Sequence, residues 1–182
     1  MDDKDLIWEE IKTEHIITDE WIDFRRSRYR FPDGSEYEPF YSYSRRDFVV
    51  IVPFDENGNL ICVKQFRQGI HKVTMEFPAG GIEKDEGEDA QLPAAIRELQ
   101  EETGYVSDEW EHLLTIPSAP AITDNYASLY VARNCKKASG QSLDETEYLN
   151  VSVLTPDELQ SLIDQNKFEQ PIHILAWLLA NK

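Results

Sequence analysis

Three glutamates near the middle of the chain have a spacing that suits a divalent metal ion. Glu98, Glu101 and Glu102 are related as i, i+3 and i+4, so on an α-helix their carboxylates would project from one face. Like charges placed in this way repel each other, and a hard cation such as Mg²⁺ turns the repulsion into binding because it prefers oxygen ligands. An acidic, solvated helix face is the alternative, and it is the common one for an isolated motif of this kind.

The surrounding residues favour the metal. Residues 97–105 read Arg-Glu-Leu-Gln-Glu-Glu-Thr-Gly-Tyr, and an apolar segment ending in Gly80-Gly81 precedes them. This constellation resembles the Nudix box, G-x5-E-x7-REUxEExGU, in which U is an aliphatic residue. The second half of the box is nearly intact. In the first half, seven residues separate Gly80 from Glu88 and eight separate Glu88 from Arg97, in place of five and seven. Asp89 would restore the second spacer, so we expect a loop insertion there.

The resemblance implies a metal site and assigns its residues. Glu98 and Glu102 would be ligands of Mg²⁺ or Mn²⁺, with Glu101 sharing the ions. Arg97 would orient these glutamates through charge-assisted hydrogen bonds without touching metal. The carbonyl of Ala79 matches a position at which this family often supplies a backbone ligand.

Two further segments resemble the ADP-ribose pyrophosphatase branch of this superfamily. Residues 63–67 and 75–80 are similar to its V-x-Q-[YF]-R and E-x-P-A-G patterns. Arg67 ends a predicted strand, where a guanidinium can clamp a phosphate. Glu76 would bind the sugar or nucleotide, or else serve as a buried salt-bridge partner. Arg45 falls where this branch often places a basic nucleotide-binding residue.

A later acidic loop is similar to the E-x-E loop of that branch. The resemblance implies that Glu145 is the catalytic base, with Glu101 as the alternative, and that Glu147 is an accessory metal ligand; a merely solvated loop is the competing interpretation. Pro120 lies near the proline that marks ADP-ribose enzymes. However, alanines flank it in place of serine and glycine, and Asn125 replaces a frequent glutamate, which leaves the substrate open.

The patterns between these motifs predict the elements that must position them. Residues 10–50 are β-rich, and Pro78 to Gly81 should break regular structure. Pro93 suits the first turn of a helix that continues to Glu102, and Gly104 suits its end. Further helices are predicted to begin near residue 155 and to cover 172–179. Strands are predicted at 48–54, 60–66, 73–77, 111–116, 127–132 and 148–154.

These elements and the resemblance together imply an α/β (α+β) fold of the Nudix type. It would be an α-β-α sandwich with a mixed sheet over residues 48–182, preceded by a small N-terminal antiparallel sheet within residues 1–47. In this branch the small sheet often serves for dimerisation, so we expect a homodimer.

The amino-acid composition limits the kinds of molecule that the protein is expected to bind. The 182 residues carry a formal charge of −17, which would repel nucleic acid, and no local basic patch opposes that field. No apolar run is long enough to cross a bilayer, and no secretion signal is visible, so a cytoplasmic protein is expected. The two cysteines lack metal spacing, and Cys62 is predicted to be a buried, inert thiol.

The expected function is therefore metal-dependent hydrolysis of the pyrophosphate of a nucleotide sugar. ADP-ribose, giving AMP and ribose 5-phosphate, is the first expectation. GDP-mannose, ADP-glucose or another nucleotide is the alternative substrate. A non-catalytic sensor that binds ADP-ribose-like ligands is the remaining alternative.

Overall fold

The computed structural model describes residues 2–83 and 89–182. Glu88, the displaced acid of the box, therefore lies outside the described residues. The chain divides into two compact units. The first comprises Met1–Arg46 and Pro117–Tyr126, and the second comprises Asp47–Ile116 and Ala127–Lys182.

The first unit is built on a three-stranded antiparallel sheet, as expected. A short 3-10 helix, Asp3–Leu6, precedes its strands, which follow in chain order: β1 (Glu9–Thr18), β2 (Asp23–Arg30) and β3 (Glu36–Ser44). Gly34, with φ of 84°, lies in the turn between β2 and β3, where the left-handed conformation favours glycine. Aromatic rings of this unit pack around Phe40: Tyr29, Phe31 and Tyr37 lie edge to face with it, and Trp8 is tilted against it.

The second unit contains a mixed sheet of eight strands. Strand β10 runs parallel to β4, whereas β5 pairs antiparallel with β4, β6 and β11. The strands are β4 (Phe48–Asp55), β5 (Leu60–Arg67), β6 (Lys72–Glu76), β7 (Ala79–Gly81), β8 (Tyr105–Val106), β9 (Glu109–Pro117), β10 (Tyr126–Lys137) and β11 (Leu149–Leu154). The helices are α1 (Gln91–Thr103), α2 (Pro156–Asp164) and α3 (Pro171–Ala180).

Helices cover this sheet from two sides, because alternate residues of β4 enter different core clusters. Val49 and Ile51 pack in a cluster with Leu99 of α1. Val50 and Val52 pack in another cluster that contains Leu159 of α2 and Trp177 of α3. A strand buried on both faces accounts for the unbroken apolar run at 48–54. The α-β-α sandwich with a mixed sheet is confirmed.

The expectation that Pro78 to Gly81 breaks regular structure is wrong. Ala79–Gly81 forms β7, which pairs antiparallel with residues 48–50 of β4, and the carbonyl of Pro78 accepts a hydrogen bond of 3.0 Å from Ile51. Glycine has a low strand propensity. Here the conformation is determined by pairing with the edge of the buried strand β4.

The ends of α1 follow the predicted signals. The helix begins at Gln91, two residues before the expected start, and Pro93 lies in the first turn, where backbone N–H groups lack intrahelical acceptors. Gly104 ends it with φ of 71° and donates a hydrogen bond of 2.7 Å to the Gln100 carbonyl. None of the helices among the described residues is long and apolar enough to cross a membrane.

Candidate metal site

Helix α1 directs two of its glutamates toward β7. The residues Glu98 and Glu102 are only 6% and 2% exposed, whereas the side chain of Glu101 is 39% exposed. The Ala79 N–H donates a hydrogen bond of 3.1 Å to Oε2 of Glu102, so the start of β7 borders this carboxylate. Leu99, buried on the same helix, anchors α1 to the sheet.

A third carboxylate reaches the same place from the loop between β10 and β11. One oxygen each of Glu98, Glu102 and Glu147 lie within 4.8 Å of one another. We call these three side chains the carboxylate cluster. Glu147 is held in a tight turn, because its N–H donates to the Asp144 carbonyl at 3.0 Å and its carboxylate accepts from the Asp144 N–H at 3.1 Å.

The carboxylate cluster carries negative charge that is poorly solvated. Burial raises the pKa of Glu98 to about 7, although Arg97 opposes the change. Burial, followed by repulsion from Glu98, raises the pKa of Glu102 well above its ordinary value. Buried anions require a counter-charge, and the donors here are all carboxylate oxygens. The cluster therefore fits a hard divalent cation such as Mg²⁺ or Mn²⁺.

Arg97 ties the glutamates of α1 to β7. Its Nη1 donates to Oε1 of Glu98 at 2.7 Å and to Oε2 of Glu101 at 2.9 Å, while Nη2 donates to the Gly81 carbonyl at 3.0 Å. These are hydrogen bonds of the kind assigned to Arg97 from the sequence, and its orienting role in a metal site stays a prediction. The Glu101 carboxylate thus faces Arg97 and does not belong to the carboxylate cluster.

Gly80 permits α1 to lie close to β7. A Cβ atom at this position would overlap the carboxyl group of Glu98. The φ of Gly80 is not in the left-handed region, so its backbone conformation does not call for glycine. Glycine is needed here because it lets the helix approach closely. The sequence indicated an important glycine but not the side chain that it accommodates.

Arg67 forms an ion pair with the buried Glu76, close enough to the carboxylate cluster for its charge to act on Glu102. Nε of Arg67 lies 2.9 and 3.1 Å from the two Glu76 oxygens, and Nη2 also donates to Glu76. Glu76 further accepts from the Thr74 hydroxyl and, at 3.1 Å, from Gln170. Although burial alone would raise the pKa of Glu76, the bonds from Arg67 and Thr74 hold it below the usual value.

This geometry is the one expected from the second interpretation of Glu76, in which it is a buried salt-bridge partner. The Arg67 side chain is still 34% exposed, so part of its guanidinium reaches the surface. Thr74 was missed by the sequence analysis, although strand alternation places it on the same face as Glu76. No sequence signal identifies Gln170, which lies 94 residues away along the chain.

Other predicted residues lie outside the carboxylate cluster. Glu145 is exposed on the same loop as Glu147, two residues earlier. Arg45 is exposed, and both Arg45 and Pro120 lie in the first unit. Their roles in nucleotide binding stay predictions. Asn125 is buried and bonded to the Ser118 hydroxyl and the Arg46 carbonyl, which gives it a structural role within the first unit.

Comparisons with known proteins identify the family of this chain. The model of the NUDIX domain family matches residues 44–178, a range that includes α1 and the carboxylate cluster. A methanol dehydrogenase activator from Bacillus methanolicus is 30% identical over 173 residues, covering 91% of this chain and 88% of that protein. An ADP-ribose pyrophosphatase from Bacillus subtilis is 27% identical over 171 residues, covering 90% and 87% respectively.

A solved structure shows the same fold. The crystal structure of an ADP compounds hydrolase superposes with a TM-score of 0.79 at 21% sequence identity, covering 96% of this chain and 92% of that one. The domain match spans well over half of the chain, and the Bacillus methanolicus relative aligns over nearly all of it. The chain therefore belongs to the Nudix family of hydrolases.

Proposed function

We propose that the protein hydrolyses the pyrophosphate bond of ADP-ribose with Mg²⁺ or Mn²⁺, giving AMP and ribose 5-phosphate. The observation that carries this proposal is the carboxylate cluster, in which oxygens of two buried glutamates and the half-buried Glu147 lie within 4.8 Å of one another. The similarity to an ADP-ribose pyrophosphatase over 90% of the chain supports the choice of substrate.

Glu98, Glu102 and Glu147 would hold the cation, and we assign the Ala79 carbonyl and Glu101 as further ligands. When bound, a divalent cation supplies Lewis acidity toward phosphate oxygens and water. Arg97 fixes the Glu98 and Glu101 carboxylates before any ion arrives, because it bonds to both of them and to β7. Such preorganisation reduces the cost of ordering the ligands on binding.

Arg67 would bind the pyrophosphate. Glu76 engages Nε and Nη2 of its guanidinium, which leaves Nη1 to donate a charge-assisted hydrogen bond to a phosphate oxygen. In this arrangement Glu76 positions Arg67. The other interpretation, in which Glu76 itself contacts the substrate, is not required.

Glu145 would act as the general base. Its exposed carboxylate would take a proton from water while the water oxygen forms a bond to one phosphorus. The bond from that phosphorus to the bridging oxygen breaks, and the oxygen leaves on the other phosphate. Glu101, on the same face of α1 as the carboxylate cluster, is the alternative base.

The first unit would form a homodimer through its sheet. Several apolar side chains are exposed on this unit, and water contact with so many of them is unfavourable. They are Ile11, Ile16, Ile17, Trp21, Tyr37 and Tyr41.

A panel of nucleotide sugars with Mg²⁺, followed by phosphatase-coupled detection of released phosphate, tests the substrate. The proposal expects ADP-ribose to be cleaved faster than GDP-mannose or ADP-glucose. Faster cleavage of either of these would contradict the substrate assignment. Tight ADP-ribose binding without turnover of any member would contradict the enzymatic proposal and favour a sensor.

A further inference from the structure

The last residue of β10 and the short segment after it cap the C-terminal end of α1. The last carbonyls of a helix lack intrahelical partners, and here they find them nearby. Lys137 Nζ donates to the Thr103 carbonyl at 2.5 Å, and the Ser142 N–H donates to the Glu101 carbonyl at 2.9 Å. The remaining carbonyl of this turn, that of Glu102, accepts a hydrogen bond of 2.7 Å from Nε2 of Gln141.

Gln141 differs from the other capping groups because its amide also contacts a second element. The same Nε2 lies 3.4 Å from the carbonyl of Leu149, the first residue of β11. One NH₂ group has two hydrogens, so it can donate to both carbonyls. Gln141 thereby bridges the backbone of a carboxylate-cluster residue and the end of the loop that carries Glu145 and Glu147.

The loop needs such a connection because charge opposes its position. One oxygen each of Glu98, Glu102 and Glu147 lie within 4.8 Å of one another, and like charges at such a separation repel before a cation binds. The turn from Asp144 to Glu147 is closed by its own hydrogen bonds, so it would move as a unit. Its separation from α1 is therefore set at its flanks, where the Ser142 N–H bonds to α1 and Gln141 bonds to both α1 and β11.

We propose that Gln141 is a positioning residue that holds Glu147 within reach of Glu98 and Glu102 by bridging the backbones of α1 and β11. It acts through the loop and does not contact the ion. The proposal rests on the metal role assigned above to the carboxylate cluster. It adds a residue that joins the helix bearing two of the ligands to the strand that follows the loop ligand.

Mn²⁺ titration of the full chain without substrate tests this proposal through a double-mutant cycle. Gln141→Met keeps the length of the side chain and removes its N–H donors. We expect it to weaken Mn²⁺ binding about fivefold, the effect of one neutral hydrogen bond. In the Glu147→Gln background, the same change should have almost no further effect, because the residue that Gln141 positions has lost its charge.

Gln100→Met is the matched control, since Gln100 lies on the exposed side of the same helix and the proposed site does not use its side chain. It should bind Mn²⁺ as the wild type does. Circular dichroism of each variant checks the fold. If Gln141→Met does not fold, Gln141→Asn keeps the amide but shortens its reach, and it should weaken binding in the same direction.

Unchanged Mn²⁺ affinity in Gln141→Met, or an equal loss in both backgrounds, would overturn the positioning role while leaving the metal site in place. Absence of Mn²⁺ binding by the wild type is a different result, and it would overturn the proposed function together with this inference. The readout does not depend on which pyrophosphate the enzyme cleaves.

Discussion

At the scale of single residues, Glu76 illustrates how a fully buried carboxylate is stabilised. It accepts hydrogen bonds from Arg67, Thr74 and Gln170, so its charge is compensated on several sides. An ion pair of this kind costs desolvation when it forms, and its charge-assisted hydrogen bonds offset that cost. The pair is thus expected to be far more sensitive to substitution than a pair at the surface.

Glu76→Gln should lower the free energy of unfolding by about 2 kcal/mol, because the charge-assisted hydrogen bonds from Arg67 are lost. Urea denaturation at neutral pH measures the change. The control is Lys72→Gln, which removes an exposed pair with Glu169 at 2.9 Å and should cost less than about 1 kcal/mol. Equal losses in the two variants would contradict the structural role of Glu76.

His173 gives a prediction for the dependence of stability on pH. It is buried, its Nδ1 accepts a hydrogen bond of 3.0 Å from the Phe77 N–H, and burial lowers its pKa to about 4. The unfolded chain takes up a proton below pH 6.5, whereas the folded chain resists until about pH 4. The stabilisation is therefore complete above pH 6.5 and is lost as the pH falls toward 4.

Between pH 7 and 4.5, this histidine should account for a loss of about 2 kcal/mol of stability. His173→Asn supplies an oxygen that can accept from Phe77 and does not titrate, so its stability should fall less over the same range. Denaturant unfolding at the two pH values measures both slopes. Parallel slopes for the wild type and the variant would show that His173 does not titrate as proposed.

At the scale of elements, the site is an arrangement of β7 against α1. Gly80 is the residue that allows this approach, because a side chain there would overlap Glu98. The obstructed group is the end of a flexible side chain and not backbone. A larger residue would therefore displace the carboxylate without unfolding the strand.

Gly80→Ala should accordingly keep the fold but weaken Mn²⁺ binding by about tenfold or more, since ligand geometry must be held within a fraction of an ångström. Calorimetric titration with Mn²⁺ measures this. Gly69→Ala is the matched control, because a Cβ at Gly69 meets no atom within 4 Å. Normal Mn²⁺ affinity in Gly80→Ala would mean that Glu98 does not need its present position.

The elements also show what the sequence could and could not predict. Pro93 and Gly104 marked the ends of α1 because their backbone preferences act locally. The strand β7 was missed, since a glycine pair has no strand propensity and only its pairing with β4 makes it extended. The contact from Gln141 to Glu102 spans 39 residues and depends on the tertiary fold, so no local pattern could reveal it.

At the scale of the whole molecule, the first unit has a sheet whose apolar side chains are exposed. Ile17 of β1 is 54% exposed, and so is Ile70, which lies in the second unit. The proposed homodimer uses the first unit only. The two residues therefore allow a matched comparison, because the same substitution at equal exposure should have different consequences.

Ile17→Glu should convert the protein from dimer to monomer at micromolar concentration, because it buries a charge in the proposed interface. Ile70→Glu should leave the dimer intact. Sedimentation velocity measures both. A monomeric wild type, or a dimeric Ile17→Glu variant, would contradict the proposed use of the first unit.

The catalytic account as a whole depends on the carboxylate cluster acting as a metal site. Glu102→Gln replaces its most buried carboxylate with a neutral amide of the same shape. The direct test is the Mg²⁺-dependent turnover of ADP-ribose by this variant, with the exposed Glu111→Gln as the control. The account predicts a loss of turnover by orders of magnitude in Glu102→Gln with the fold intact, and near-normal turnover in the control. Near-normal turnover by a folded Glu102→Gln variant would contradict it.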